Sequence, residues 1–329
     1  MPNMDFEWQI DEFMVDCRSR QLRPKTMSSY EQALRLFARW CKEQMGITDV
    51  SAVTESMVRR YINDLQERGK YTTCADDRSL EKNFPERRRD FRKPVSVVTI
   101  NCYIRDIRVF FNWLDRDYLL TKNPMKKIKQ LKTSRKAKEY ISDAEFKHLT
   151  NILDKSYYSE HRDFAMITLM LDSGMRLGEC SQLLTEDLNL SKRQIKLRAE
   201  ITKGRKDRVV YFSTKTEVIL RRWLQYKDRY LESLYVFPAK YSGCPIQVSN
   251  FEVNFKRYLR RAGLREDITP HCLRNNFAKR CLMSGMDIYT LSKILGHSSV
   301  TVTEEAYLDL TEEDIGKRYQ HFSPIAGMR

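Results

Sequence analysis

Apolar residues in the first third of the chain recur every three or four positions, which is the spacing of an α-helix with one buried face. This pattern is found in residues 6–18, 26–44, 54–66 and 96–114. Pro24 and Gly46 flank the second segment, at positions where these residue types begin and end helices. The pattern predicts four amphipathic helices, which are enough to close a small bundle around a core of their own.

A long loop, residues 70–94, separates the third and fourth predicted helices and contains the basic sequence ERRRDFRKP. Loops of this length in compact domains are usually either functional or disordered. Two interpretations stay open here. The arginines contact phosphate groups, or they belong to a solvated charge run in which acidic residues such as Glu86 and Asp90 are interspersed.

Residues 122–139 lose the apolar period and are rich in lysine. We interpret them as a basic interdomain linker between a helical domain, residues 1–121, and a second domain, residues 140–329. Such a tether suits a protein that holds a polyanion from two sides, although an exposed linker without contacts would have the same composition.

The second domain mixes helical and strand-like periods. Ser142, followed three residues later by Glu145, predicts a capped helix start, and the apolar residues 163–173 predict a buried helix that stops at Gly174. Further helices are predicted at about 214–231 and 249–262.

Between those helices, residues 188–212 alternate between polar and apolar positions. Ile195 and Leu197, and then Val209 and Tyr211, occupy the apolar positions, and Lys203-Gly204 is a turn signal. This pattern predicts a small antiparallel sheet with a strongly basic tip. The fold class predicted for the chain is therefore mostly α, with a small sheet in the second domain.

Length and charge narrow the range of partners. A chain of 329 residues fits two domains, and its formal charge of +15, with an isoelectric point near 9.4, attracts polyanions. An anionic membrane surface would also attract this charge. Because the basic residues are spread over the whole length and do not form one amphipathic segment, nucleic acid is the favoured partner.

No apolar run approaches the roughly 18 residues that cross a bilayer, and the N-terminus has neither the basic start nor the apolar region of a signal peptide. These features predict a cytoplasmic protein. The eight cysteines contain no C-x-x-C pair, so we expect free thiols and predict neither a disulfide framework nor a zinc site.

The stretch 269–307 contains the residue types of a covalent phosphotransfer site. His271 and Arg274 are three residues apart, so in a helix they leave the same face. Gly296 is the glycine expected to end a later helix, His297 follows it, and Tyr307 comes ten positions after the histidine. Arginine binds phosphate oxygens, histidine donates to them or moves a proton, and a tyrosine hydroxyl attacks phosphorus.

The H-x-x-R pair alone is near the background of a chain this basic, in which about one such pair is expected by chance. A second candidate supports it. Arg176 follows Gly174 at the start of a predicted helix, where backbone N–H groups and the helix dipole also favour an anion. Glu179, one turn later, either orients an arginine through a hydrogen bond or is an acidic residue on the helix surface. We favour the interpretation that it orients an arginine.

Taken together, SGMRLGE, TKGRKDR, PHCLRNNF, LGHSS and a later tyrosine, in this order, resemble the motifs of the tyrosine recombinases, also called phage integrases. The resemblance covers nearly the whole chain. It implies an N-terminal four-helix core-binding (SAM-like) bundle and a mixed α+β catalytic domain with a small antiparallel sheet. The two would form a C-shaped clamp around double-stranded DNA.

The resemblance also implies a role for each matching residue. Arg176 and Arg274 would hold the scissile phosphate, with His271 and His297 beside it. Lys203, on the basic turn, would protonate the leaving 5′-oxygen, although Arg205 and Lys206 on the same turn are rivals. The implied catalytic set is Arg176, Lys203, His271, Arg274, His297 and Tyr307, with no cofactor and no metal.

Tyr307 would be the nucleophile that forms a 3′-phosphotyrosine. Nine residues separate it from His297, whereas much of the family has eight, and relatives that resemble conjugative-transposon integrases have the longer spacing. Its rivals are less suitable, because Tyr289 precedes the histidine and Tyr319 follows too late. Asn275 replaces a histidine that is common in the family, but this position is outside the catalytic set.

The implied function is site-specific recombination for a mobile element or phage, without ATP. The resemblance further implies a tetrameric synapse on DNA with exchange of C-terminal tails, helped by accessory DNA-bending or directionality proteins. Because the chain begins at the first bundle helix, we expect a simple recombinase without an arm-binding domain. Two alternatives are a catalytically silent DNA-binding protein on the same fold and an enzyme resembling type IB topoisomerases.

Overall fold

The computed structural model forms two compact units, residues 1–135 and 136–329, each with its own hydrophobic core. It describes residues 4–75, 84–116, 119–133, 140–297, 299, 301, 303–304, 312, 315–316 and 319–320. Within these residues, eleven α-helices and three short strands confirm the predicted fold class, which is mostly α with a small antiparallel sheet.

The first unit is the predicted four-helix bundle. Its helices are α1 (Phe6–Ser19), α2 (Pro24–Met45), α3 (Glu55–Glu67) and α4 (Val97–Arg116). Pro24 begins α2, and Gly46 ends it in the left-handed conformation, as predicted. The core is aromatic, because Phe13, Phe37 and Phe110 are completely buried where α1, α2 and α4 meet.

Part of the segment predicted as a linker packs against this bundle. Met125 and Ile128 are buried in the core of the first unit. The side chain of Asn101 donates to the carbonyl of Leu131 at 2.9 Å and accepts its N–H at 2.8 Å. Residues 134–139 lie outside the described part of the chain, and the predicted boundaries at 121/122 and 139/140 stay predictions.

The long loop after α3 is closed at its base. The N–H of Lys70 donates to the carbonyl of Lys93 at 2.8 Å, and the N–H of Arg92 donates to the carbonyl of Lys70 at 3.0 Å. Beyond this closure, the guanidinium of Arg88 stacks on Tyr71, with 4.5 Å from its central carbon to the ring centroid. Residues 76–83 of the loop lie outside the described residues.

The second unit contains seven of the described helices. They are α5 (Asp143–Asn151), α6 (Tyr158–Ser173), α7 (Leu177–Ser181), α8 (Thr214–Asp228), α9 (Val248–Arg261), α10 (Pro270–Met283) and α11 (Ile288–Leu295). The predicted capping box is confirmed, because Ser142 accepts the N–H of Glu145 and Glu145 accepts that of Ser142. Helix α6 packs against both α8 and α10 in the core.

Helix α6 begins five residues before its predicted start at Asp163. The added turn contains Ser159, Glu160 and His161, whose polarity hid it from the apolar pattern. Its predicted end is confirmed, since Gly174 caps it with φ of 67°.

The sheet consists of three antiparallel strands in the order β1-β2-β3. They are β1 (Leu188–Asn189), β2 (Gln194–Leu197) and β3 (Arg208–Tyr211). In the register of β2 and β3, Ile195 pairs with Val210 and Leu197 with Arg208. Residues that pair directly point to the same face, so Arg208 lies on the buried side of the sheet.

The face predicted for β3 is therefore wrong. Val209 and Tyr211 are 41% and 51% exposed, whereas Val210 is completely buried. The apolar pattern indicates the wrong face because Arg208 occupies an inward position that an apolar residue normally takes. This arginine forms part of the candidate active site.

Among the described residues, no helix is both long enough and apolar enough to span a bilayer. All eight cysteines lie in the described part of the chain and are free thiols. Four of them are buried, namely Cys17, Cys41, Cys180 and Cys272.

Replacing Gly174 by alanine should destabilise the second unit by about 2–4 kcal/mol. An added Cβ would lie 2.4 Å from Cδ1 of Phe277, and the residue would also keep a φ of +67°. The matched control is Gly263→Ala, which has a φ of +61° with no atom within 4 Å of the new Cβ, and it should cost about 1 kcal/mol. Urea unfolding measures both, and equal losses would contradict the steric argument.

Candidate active site

Arg274 is a buried cation that joins the ends of two helices. It lies on the second turn of α10 and is only 3% exposed. Its Nη1 donates to the carbonyl of Gly174 at 2.6 Å, and its Nη2 donates to the carbonyl of Leu295 at 2.7 Å. Both carbonyls belong to helix C-terminal ends, where acceptors lack intrahelical partners and the dipole favours positive charge.

His297 lies directly beside this guanidinium. Gly296 ends α11 in the left-handed conformation, as predicted, and His297 follows with its Nε2 3.1 Å from Nη2 of Arg274. Because a guanidinium only donates, Nε2 must accept, and the ring proton lies on Nδ1. That Nδ1 donates to the hydroxyl of Thr303 at 2.7 Å, which fixes the plane of the imidazole.

Arg176 is oriented by a buried carboxylate. It precedes α7, and its Nη1 and backbone N–H donate to the two oxygens of Glu179, each at 2.9 Å. Glu179 is 1% exposed and has the expected orienting contact. At this helix start, the anion that the backbone N–H of Arg176 binds is the carboxylate of Glu179.

Arg208 was missed as a candidate residue, although it is the last residue of the motif TKGRKDR. Its Nη1 and Nη2 donate to the two oxygens of Glu179 at 3.0 and 2.6 Å, and its Nε donates to the carbonyl of Ile294 at 3.0 Å. The signal that would have found it is the register of the sheet, since a charged residue opposite buried Leu197 needs a buried partner.

Positive charge exceeds negative charge among these described side chains, because three arginines lie near one carboxylate and only two of them, Arg176 and Arg208, bond to it. The pKa of Arg274 is lowered from 12.5 to about 9, chiefly by burial and also by repulsion from Arg176 and Arg208, against the attraction of Glu179. Burial alone would raise the pKa of Glu179, but hydrogen bonds and charge from Arg208, and then from Arg176, lower it. The cluster is thus built to receive an anion.

Two N–H groups of the Arg274 guanidinium make no hydrogen bond to the described residues. A guanidinium has five N–H groups, and the bonds to Gly174, Leu295 and His297 use three of them. Within the described part of the chain, its Nε–H and one Nη1–H have no hydrogen-bond acceptor. A phosphate can accept such donors while neutralising the charge.

The role of Lys203 in this site stays a prediction. Lys203 lies on an exposed turn in the loop between β2 and β3. The hydroxyl of buried Thr202 donates to the carbonyls of Ala199 and Lys206 and so stabilises this turn. Arg205 and Lys206 are equally exposed, so burial does not separate the rivals.

Of the two remaining predicted residues, the structure describes His271 but not Tyr307. His271 lies on the first turn of α10 and is exposed, whereas Arg274 one turn later is buried, so their common target stays a prediction. Tyr307 lies outside the described residues, and its role also stays a prediction. The rivals Tyr289 and Tyr319 are 58% and 59% exposed.

Two family models match the chain. The model described as the phage integrase family matches residues 139–314, and the one described as the phage integrase N-terminal SAM-like domain matches residues 10–86.

Individual relatives agree with these matches. Tyrosine recombinase XerC of Lacticaseibacillus casei (strain BL23) is 24% identical over 311 residues, covering 93% of this chain and 94% of the relative. A tyrosine recombinase of Thermosipho africanus (strain TCF52B) is 28% identical over 216 residues, covering 66% and 73%.

Solved structures share the fold. A fragment of the Tn1549 transposon integrase in complex with a circular intermediate DNA has a TM-score of 0.70 and 18% identity, covering 97% of this chain and all of that one. A lambda integrase dimer bound to a core site has a TM-score of 0.68 and 14% identity, covering 94% and 97%.

We expect sulfate to stabilise the second unit through Arg274. At ten times its dissociation constant, a bound dianion adds about 1.4 kcal/mol, or about 3–6 °C in melting temperature. Arg274→Gln should lose most of this increment, because the site then lacks its buried cation. The measurement is thermal melting in sulfate and in chloride at equal ionic strength. The general stabilisation by sulfate is common to all variants, so it cancels when their increments are compared.

Arg280→Gln is the matched control for this experiment. Arg280 lies on the same helix and pairs with Asp143 at 2.6 Å at the surface, so its loss should leave the sulfate increment unchanged. An equal increment in wild type and Arg274→Gln would show that the cluster does not bind the anion.

Proposed function

Because the chain belongs to the phage integrase family, we propose that it is a site-specific tyrosine recombinase that cuts and rejoins double-stranded DNA. In this proposal, a tyrosine forms a 3′-phosphotyrosine bond with one strand and releases a 5′-hydroxyl. The covalent bond conserves the energy of the broken phosphodiester, so the strands are rejoined without ATP.

The observation that carries this proposal is the buried guanidinium of Arg274. Among the described residues, it donates to two carbonyls and to the neutral imidazole of His297, and its pKa is lowered to about 9. A buried cation without a directly bonded carboxylate is costly in an empty site, and an anion that binds there relieves the cost. A phosphodiester is the anion that DNA supplies.

The nucleophile of the proposed reaction is Tyr307. A phenol with a pKa near 10 is only about 0.1% ionised at neutral pH, a deficit of roughly 4 kcal/mol if the phenolate must form first. Its oxygen would bond to phosphorus while the bond from phosphorus to the 5′-oxygen breaks. Arg176 and Arg274 would stabilise the charge on the non-bridging oxygens of the transition state.

Two protons must move in this step. The phenolic proton needs a base, and His271 is the proposed acceptor, because Nε2 of His297 already accepts from Arg274 and its Nδ1 donates to Thr303. The leaving 5′-oxygen needs a proton, which Lys203 would donate from the basic turn. In this tautomer His297 has no N–H left for the phosphate, so it would act by positioning Arg274.

The proposal extends to the assembly. A net charge of +15 favours DNA as the partner, and recombination between two duplexes requires several protomers, which we propose form a tetramer on DNA. The tail after Tyr307, most of which lies outside the described residues, would exchange between protomers. Accessory DNA-bending or directionality proteins, a mobile element or phage as the host DNA and a cytoplasmic location belong to the same proposal.

Two other functions make different demands. A catalytically silent DNA-binding protein would not need a largely buried cluster in which arginines outnumber carboxylates, because it stabilises no transition state. A type IB topoisomerase has the same chemistry but relaxes supercoiled DNA without a particular sequence. Relaxation of any supercoiled plasmid, with no preference for the captured site described below, would favour the topoisomerase.

Wild-type protein should form a covalent adduct with DNA that survives denaturation in detergent. Because the target sequence is unknown, the probe is a library of random duplexes with a nick that prevents rejoining. Adducts are isolated after denaturation and sequenced. Tyr307→Phe should form no adduct, since it lacks the attacking oxygen.

Tyr319→Phe is the control in this assay, because it removes the hydroxyl of the other tyrosine that follows His297. It should keep the wild-type adduct yield. Adducts that persist in Tyr307→Phe and vanish in Tyr319→Phe would move the nucleophile, and no adduct from wild type on any sequence would refute the proposed enzyme.

Arg274→Ala should reduce cleavage of the captured site by about 10³-fold while DNA affinity changes little. The arginine acts on one phosphate in the transition state, whereas affinity is spread over many phosphate contacts. Single-turnover cleavage and gel-shift binding measure the two quantities, with Arg280→Ala, a half-buried position on the same helix, as control. A comparable collapse in affinity would contradict the assignment.

A further inference from the structure

Arg208 has no role in the proposed reaction, yet it makes three hydrogen bonds in the cluster, as many as Arg274. All three of its nitrogen atoms donate to described acceptors, two to the carboxylate of Glu179 and one to the carbonyl of Ile294. Its side chain is 9% exposed, and that of Glu179 is 2% exposed. Such a desolvated, two-pronged pair has a fixed geometry.

Through Glu179, Arg208 acts on Arg176. The same two carboxylate oxygens that accept from Arg208 also accept the Nη1 and backbone N–H of Arg176. The position of the carboxylate therefore sets the position of the Arg176 guanidinium. With Arg208 removed, Arg176 would be the only guanidinium bonded to Glu179, and it would be drawn toward the carboxylate and away from an incoming phosphate.

Through the end of α11, Arg208 also acts on Arg274 and His297. Ile294, which accepts from Arg208, directly precedes Leu295, which accepts from Arg274. The side chain of Arg208 packs against the backbone that turns toward His297, since a Cβ on Gly296 would lie 2.8 Å from its Cδ. One arginine thus supports the helix end from which two site groups are held.

We propose that Arg208 is a positioning residue for the recombinase reaction. It fixes the carboxylate that orients Arg176 and the helix end that holds Arg274 and His297, so that both phosphate-binding arginines keep their separation before DNA arrives. The proposal rests on the proposed function, and it assigns Arg208 no contact with the phosphate.

Lysine cannot replace Arg208 in this arrangement. The two guanidinium ends meet two carboxylate oxygens while Nε reaches a third acceptor, and a single ammonium group does not span these three directions. Lysine does preserve the positive charge beside Glu179. Arg208→Lys therefore tests geometry, and Arg208→Met tests geometry and charge together.

The first measurement compares cleavage with binding on the DNA site captured by wild type. Arg208→Lys should slow single-turnover cleavage by about 10²-fold, as expected for displaced catalytic groups, while the dissociation constant for DNA changes less than about threefold. Arg261→Lys is the matched control. Arg261 also donates to one carboxylate, Glu160, and one backbone carbonyl, that of Ile152, outside the cluster, so its loss should leave the rate unchanged.

The second measurement is a pH profile that a purely structural role would not change. In wild type, the charges of Arg208 and Arg176 keep Glu179 ionised against its burial. In Arg208→Met, the facing charged groups that remain are Arg176 and Arg274, so the pKa of Glu179 should rise and its protonation should add a fall in cleavage as the pH is lowered. Adding Glu179→Gln should remove that extra fall.

The outcomes separate this proposal from the proposed function. If wild type forms no DNA adduct, the recombinase proposal fails, and the test of Arg208 passes to the sulfate-dependent rise in melting temperature, which Arg208→Lys should reduce. Wild-type cleavage in Arg208→Lys, or equal slowing in Arg261→Lys, would overturn the role of Arg208. If Arg208→Met does not fold, the cleavage rate of Arg208→Lys decides.

Discussion

The C-terminal end of α11 is the constraint on which the site depends. Its last four carbonyls, from Ser292 to Leu295, lack intrahelical partners, as at any helix end. Backbone N–H groups of Gly296 and His297 satisfy the first two, and Arg208 and Arg274 satisfy the last two. Two arginines thus supply hydrogen bonds that every helix end needs. They also fix the end of α11 relative to β3, which contains Arg208, and to α10, which contains Arg274.

The single carboxylate of Glu179 reduces repulsion among the arginines without neutralising them completely. Without it, three buried or half-buried guanidinium groups would repel one another, and burial already lowers the pKa of Arg274. A second carboxylate would complete the neutralisation and remove the attraction for a phosphate. One carboxylate shared by Arg176 and Arg208 holds the groups in place and leaves the positive excess that the proposed chemistry needs.

The sequence predicted what local patterns determine. Helix periods, the caps at Ser142 and Gly174 and the turn at Gly296 follow from neighbouring residues, and each is confirmed. The buried face of β3 was wrong and Arg208 was missed, because both depend on register with another strand. Motif order located Arg176 and His297 without geometry, but spacing alone could not distinguish Lys203 from its exposed neighbours on the same turn.

The missing information was long-range in each case. Arg274 reaches Gly174 across 100 positions, and Arg208 reaches Ile294 across 86. No window of sequence contains both members of such a pair, so periodicity cannot reveal them. Gly174 illustrates the consequence, because local reasoning identifies it as a helix cap, while the fold gives its carbonyl to Arg274 and fills the space beside it with Phe277. Residues that end helices here also form part of the site. Selection for the site would therefore act on positions that, in the sequence, look like ordinary turns.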